Sequence, residues 1–136
     1  MAYILMIDDN PRNQRYIQRI IHYRSAHQIG FAGSSNEAIE QLVSRRPDVI
    51  FLDLYIPGMD GFDFFDTIKQ HPATGAIPIV ILSAVPLDPI ARIRLRRMVF
   101  EGFIEFPIEA SAVNQIINAA LTHNNPAVQK WRPPAV

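Results

Sequence analysis

Cysteine is absent, which excludes disulfides and thiolate metal sites but names no redox compartment. Lysine is scarce: only two of the 13 basic residues, Lys69 and Lys130, are lysines. Neither charge sign is in excess, because 13 acidic residues balance the 13 basic ones, and a neutral chain exerts no overall pull on nucleic acid or anionic membrane. No apolar run approaches the ~20 residues of a membrane span. A secretion signal is missing too, since "MAYILMIDD" turns acidic by Asp8. These absences predict a cytoplasmic protein with neither a membrane nor a nucleic-acid partner. What is present is apolar content of 49% in 136 residues, enough for one folded domain around a single core.

The chain alternates between two patterns. "YILMI" (3–7) is a short apolar run closed by Asp8 and Asp9, and "DVIFLD" (48–53) is another closed by Asp53. Runs of this kind read as strands buried on both faces of a parallel sheet. "QIGFAGS" is a weaker strand, "IPIVILS" a fourth ending at Ser83, and "GFIEF" (102–106) a fifth. Helical stretches lie between them. One has Asn10 as cap and Pro11 in first position, running to about Tyr23; one is capped by Ser34 or Ser35; one is "FDFFDTIKQ". The fourth, "DPIARIRLRRMVF", starts at Asp88 and Pro89, and the last is "ASAVNQIINAALTH". The loop "LYIPGMDG" carries strong turn signals. The fold class predicted is α/β, a doubly wound five-stranded parallel sheet with helices on both faces. The domain spans residues 1–123, followed by a proline-rich and flexible tail, 124–136.

In such sheets ligands sit at the carboxyl ends of the strands. If the first and third strands are neighbours, Asp8, Asp9 and Asp53 meet there. Like charges so close raise one another's pKa unless a cation joins them. A hard divalent cation such as Mg²⁺ suits an all-oxygen site and pairs readily with phosphate. A carboxylate beside it can attack a phosphoryl donor to give an aspartyl phosphate, with the Ser83 hydroxyl placed to hydrogen-bond a phosphoryl oxygen. The plain alternative is that each aspartate only caps a helix. Three at strand ends, with a serine at a fourth, disfavour it.

"MIDDNPRNQRYI", "DLYIPGMDGFDFFDTIK", "IPIVILSA" and Pro107 together resemble the receiver domain of two-component response regulators, over residues 3 to about 122. The resemblance implies a flavodoxin-like (βα)5 strand order, 2-1-3-4-5. It implies Asp53 as phosphoacceptor, with Asp8, Asp9, Asp53 and the Tyr55 backbone carbonyl holding Mg²⁺. Ser83 becomes the switch hydroxyl and Phe103 the switch aromatic, and Pro107 follows a cis bond where sequence alone favours trans. Tyr55 and Val85, two residues beyond Asp53 and Ser83, stand where family residues govern water access; their bulk implies a long-lived phosphoryl group.

One departure matters. The family carries a lysine just before this proline, and here the residue is Phe106. A phosphoryl group carries about −1.5 to −2, so with two aspartates and Mg²⁺ the phosphorylated site stays near −2 without that lysine. A single ion contact at 4 Å is worth up to ~4 kcal/mol at an effective dielectric of 20, enough to uncouple phosphorylation from a switch without preventing it. Either the output no longer follows phosphorylation, or signalling takes a modified route, with an arginine of the fourth helix supplying charge. Retention of the aspartates and Ser83 favours the second. Val99 and Phe100 replace the family's usual glycine and alanine; Phe100 either packs with Phe103 and Phe106 or simply fills the core, the preferred reading.

Arg92, Arg94, Arg96 and Arg97 crowd the fourth helix as a solvated face or a partner surface, and Arg92 and Arg96 are assigned to output with Phe103, Phe106 and Pro107. The resemblance places output on the fourth helix, fifth strand and fifth helix. A homodimer there would set the arginines against Glu105 and Glu109. Trp131 either docks or stays mobile, and the four histidines have no metal-ligand spacing. The function expected is that of a stand-alone response regulator. It takes a phosphoryl group from a histidine kinase or phosphotransfer protein and signals to an unidentified output protein. Beyond its own phosphorylation and dephosphorylation, no enzymatic activity is expected. Two alternatives stand: a phosphorylation-independent pseudo-receiver, and a small-molecule phosphohydrolase. The latter usually carries nucleophile and acid two residues apart on one strand, unlike the adjacent Asp8-Asp9 pair.

Overall fold

The computed structural model describes residues 1–122. Lys130, Trp131 and the expected tail therefore lie outside the described residues. The elements are β1 (Tyr3–Ile7), α1 (Pro11–Arg24), β2 (Gln28–Ala32), α2 (Ser35–Ser44), β3 (Val49–Asp53), α3 (Gly61–Gln70), β4 (Ile79–Ser83), α4 (Pro89–Arg96), β5 (Gly102–Glu105) and α5 (Ala110–Leu121). All strand pairs are parallel, in the order β2-β1-β3-β4-β5. The expected class and strand order are both found.

Side-chain alternation along each strand builds two cores. Leu5, Ile7, Ile50, Leu52, Ile79, Ile81 and Phe103 face α2, α3 and α4, where Ala38, Phe65, Ile68, Ala91 and Leu95 meet them. Ile4, Met6, Val49, Phe51, Val80, Leu82 and Ile104 face α1 and α5, against Ile17, Ile21, Val113 and Ile117. Burial on both faces explains why β1, β3 and β4 read as unbroken apolar runs.

Local signals fix the starts of the helices. The Asn10 side chain accepts from the Arg12 and Asn13 amides, Ser34 from Glu37, Asp60 from Phe62 and Asp63, and Asp88 from Ala91. Pro11 and Pro89 follow two of these caps, where a missing N–H costs nothing. Pro57 and Gly58 form a turn closed by the Met59 N–H on the Ile56 carbonyl at 3.1 Å. Gly58 has φ 77°, the left-handed backbone that the third residue of a type II turn demands.

Among the boundaries that differ from the expected ones, two bear on the site. Helix α4 was expected through Phe100 and stops at Arg96, with the Arg97 and Met98 amides making tighter bonds to Arg94 and Leu95. Tertiary demand ends it: Phe100 is fully buried beside Phe103, and Glu101 is needed at the start of β4. There the Glu101 carboxylate accepts the Ile79 N–H at 2.7 Å and lies 3.9 Å from Lys69 Nζ. Strand β5 ends at Glu105, one residue early, although the Phe106 N–H still reaches the Ser83 carbonyl at 2.9 Å.

Gly61 sits where α3 crosses β3's exit. A Cβ there would stand 2.4 Å from the Leu54 Cα, a contact with backbone that no rotamer relieves. Gly61→Ala is therefore expected to destabilise by about 1–3 kcal/mol. Gly33→Ala, whose added methyl meets nothing closer than 3.9 Å, should change stability little. Urea unfolding of the two variants checks the contrast.

Candidate functional site

Pairing of β1 with β3 brings the ends of these strands side by side, with Ile7 opposite Leu52. Asp8, Asp9 and Asp53 follow directly, and each offers a carboxylate oxygen within 4.8 Å of the others. Asp8 is fully buried and Asp53 nearly so, at 7% exposure, whereas Asp9 is open to solvent. Two carboxylates thus lie beneath the surface with the third at the mouth.

Neutral donors hold this arrangement. Asp8 Oδ1 accepts the Asn10 N–H at 2.8 Å and Oδ2 accepts the Asn13 side-chain amide at 3.1 Å. The Gln14 side chain donates to the Asp8 carbonyl at 2.6 Å. Asp53 Oδ1 accepts the Tyr55 N–H at 2.9 Å. Asn13 and Gln14 were not singled out from the sequence. Their signal was faint: amide side chains in the first turn of α1, facing back toward the strand end they follow.

The electrostatic consequence is large. Burial pushes the Asp53 carboxyl up to about 7; the Tyr55 N–H opposes this, while the charges of Asp8 and Asp9 add to it. Burial also raises Asp8, against the lowering effect of the Asn10 N–H and the Asn13 amide. An all-oxygen, anionic set fits a hard divalent cation. Asp8, Asp9 and Asp53, each offering an oxygen within 4.8 Å of the others, would hold it and have their charge neutralised by it.

The other expected site residues divide. Ser83 is buried at the end of β4, one residue beyond the partner of Asp53. Its hydroxyl donates to the Val85 carbonyl at 2.6 Å, a bond it must leave to meet a phosphoryl oxygen. Tyr55 and Val85 are exposed near the strand ends. Phe103 is buried with Phe100 on the α2–α4 face.

Phe106 faces the other way, which corrects the suggested packing of Phe100 with both phenylalanines. It lies on the α1–α5 side with Ile104, edge-on to Tyr16 with ring centroids 6.3 Å apart. The Tyr16 hydroxyl bonds the Ile108 carbonyl just beyond. The Phe106-Pro107 peptide is cis. Lys69, the only lysine among the described residues, pairs with Glu101 at the opposite end of the sheet.

The arginines do not form one face. Arg94 turns to α3, 4.0 Å over the Phe62 ring and 3.8 Å from both Asp60 and Asp63. Arg92 is half-buried, while Arg96 and Arg97 are exposed. Among the described residues no helix is long and apolar enough to cross a membrane.

Comparison with known proteins decides the family. A model of the response regulator receiver domain matches residues 4–118. The chain belongs to that family. Protein PilH of Pseudomonas aeruginosa is 24% identical over 89% of this chain and 98% of its own length. The nitrate/nitrite response regulator NarL of Escherichia coli is 28% identical over 89% of this chain, which spans only 60% of NarL. Among solved structures, chemotaxis protein CheY4 of Vibrio cholerae superposes with a TM-score of 0.77 at 20% identity, covering 88% of this chain and 98% of that one. The receiver domain of sensor histidine kinase PA1611 of P. aeruginosa gives 0.77 at 21% identity, covering 89% and 98%, and holds a magnesium ion in its active-site cleft. At these identities the two structures establish the fold of this receiver domain.

The raised Asp53 pKa sets a pH dependence for the metal-free protein. The folded state keeps a proton on Asp53 up to about 7, whereas the unfolded chain loses it near 3.8. Folding takes up a proton inside that window, so the contribution is complete below it and is lost as pH rises through about 7. Asp53→Asn should remove this dependence. In EDTA the variant should melt several degrees above the wild type at pH ~8 and close to it at pH ~4, by differential scanning calorimetry.

Proposed function

We propose that this receiver domain accepts a phosphoryl group on Asp53 from a histidine kinase or phosphotransfer protein, with Mg²⁺ held by Asp8, Asp9, Asp53 and the Tyr55 backbone carbonyl. The observation that carries this reading is the carboxylate set, two of its three members buried, with an oxygen of each within 4.8 Å of the others. So much like charge is costly unless a cation arrives.

The divalent cation would supply charge neutralisation for the site and for the transferring group. This chain's own residues do the rest. Asp53, ionised, attacks the phosphorus; the bond from phosphorus to the donor's imidazole nitrogen breaks, and its electron pair stays on that nitrogen. The Tyr55 N–H fixes one Asp53 oxygen and leaves the other for attack. Ser83 releases the Val85 carbonyl and donates to a phosphoryl oxygen. Bulky Tyr55 and Val85 flank the site, which favours slow hydrolysis of the product.

Output runs through contacts of α4, β5 and α5, with a homodimer on the same surface a further part of the proposal. Glu105 and Glu109 are exposed there, as are Arg96 and Arg97. The packing of Phe106 against Tyr16 supports a modified route, because the residue before the proline is tied to α1 rather than aimed at the carboxylates. Charge from α4 would need an arginine other than Arg94, which is engaged by Asp60 and Asp63.

Incubation with Mg²⁺ and a small-molecule phosphodonor, read by intact mass, is expected to add one phosphoryl group. The adduct should be absent from Asp53→Asn, and should outlast that of a Tyr55→Asn/Val85→Ala double variant by several-fold. Absence of the adduct, together with failure of any histidine kinase to label Asp53, would leave the pseudo-receiver reading instead.

A further inference from the structure

We infer that Asn13 is a positioning residue for the divalent cation, acting through Asp8, with Gln14 as its companion. The inference rests on the reading of the carboxylate cluster as a Mg²⁺ site and goes beyond it, to residues of α1 that touch neither metal nor phosphoryl group.

Asp8 is the one fully buried carboxylate of the three. A buried carboxylate needs donors, and its two oxygens offer about four lone-pair directions. Two are taken here. The Asn10 N–H holds Oδ1 and the Asn13 amide holds Oδ2, at 2.8 and 3.1 Å. A carboxylate held at one oxygen can rotate about its own bond, whereas one held at both has a fixed plane. These two N–H donors therefore aim the remaining lone pairs, and of the two only Asn13 is a side chain.

Gln14 works on the backbone. Its amide donates at 2.6 Å to the carbonyl of Asp8, the peptide that joins Asp8 to Asp9. That bond fixes the turn from β1 into the loop, and so fixes Asp9 relative to Asp8. Both amides stand on the first turns of α1, whose start is independently set by the Asn10 cap and Pro11. The helix thus acts as a rigid mount, with one side chain orienting a metal ligand and the next orienting the peptide between two ligands.

The amide type matters. A cation at either position would repel the incoming metal, and an acid would repel Asp8. Neutral amide N–H groups fix the ligand while leaving its full charge available to the metal. Groups that orient ligands in this way typically change metal affinity by 10–100-fold when removed.

Asn13→Ala and Gln14→Ala test this, with Asn13→Ser as the conservative variant that keeps a short donor. Alanine is favourable in a helix, so the substituted helix is retained, and metal-free melting temperature checks it. Mg²⁺ affinity is read by calorimetric titration, and phosphorylation by a small-molecule donor is followed as a function of Mg²⁺ concentration. The expected result is a Mg²⁺ dissociation constant about 10–100-fold weaker in Asn13→Ala, a smaller loss in Gln14→Ala, and partial recovery in Asn13→Ser. The phosphorylation rate should return to the wild-type value at saturating Mg²⁺. Wild-type-like affinity in Asn13→Ala, while the wild type binds Mg²⁺, overturns the inference alone. Weakened affinity with a rate that excess Mg²⁺ fails to restore overturns it as well, because Asn13 would then act on the nucleophile. A wild type that binds no Mg²⁺ overturns the inference together with the proposed function beneath it.

Discussion

Crowded negative charge at the ends of β1 and β3 is the constraint around which the rest of this receiver domain is arranged. Burial of Asp8 and Asp53, with the charge of Asp9 at the mouth, raises the proton affinity of the two buried carboxyls and opposes folding as they ionise. The parallel sheet creates the crowding, because it sets equivalent strand ends next to each other. The loops and α1 then satisfy it with N–H donors rather than with opposite charge. The result is a site poised for a small, hard cation, at some cost to the metal-free fold.

The far end of the sheet is handled differently, and the contrast explains the lysine usage. There a buried glutamate, Glu101, closes the start of β4 and takes Lys69 as its ion-pair partner. The carboxylate cluster has no such lysine among the described residues. Phe106 instead extends the alternation of β5, in which Ile104 and Phe106 share the α1–α5 face and Phe103 the other. Its ring meets Tyr16, and the Tyr16 hydroxyl ties down the start of the segment leading to α5. The residue before Pro107 is thereby held by apolar packing on α1.

Much of this was legible in the sequence, for physical reasons. Strands buried on both faces leave unbroken apolar runs, and the caps Asn10, Ser34 and Asp88 announce helix starts. Neighbourhood of the first and third strands had to be supposed, and with it the meeting of Asp8, Asp9 and Asp53. The end of α4 was not legible, because an arginine-rich helical pattern continues past Arg96 while the demand for Phe100 and Glu101 comes from strands far away in sequence. Strand parity sets Phe106 on the face opposite Phe103, which the suggested packing of Phe100 with both overlooked, and its partner Tyr16 lies on a distant helix. Asn13 and Gln14 were invisible for a similar reason: an amide that orients a ligand is indistinguishable in sequence from one facing solvent.

The measurement that bears most directly on the central claim is the number of protons released when Mg²⁺ binds near pH ~6.5. It is obtained by titration calorimetry in buffers of different ionisation enthalpy. A carboxyl raised to about 7 by burial and by its neighbours is largely protonated there, and the cation can bind only by displacing that proton. A substantial fraction of one proton should be released, falling toward zero by pH ~9 and reduced in Asp53→Asn. Mg²⁺ binding with no proton release at pH ~6.5, or no binding at any pH, would contradict that claim.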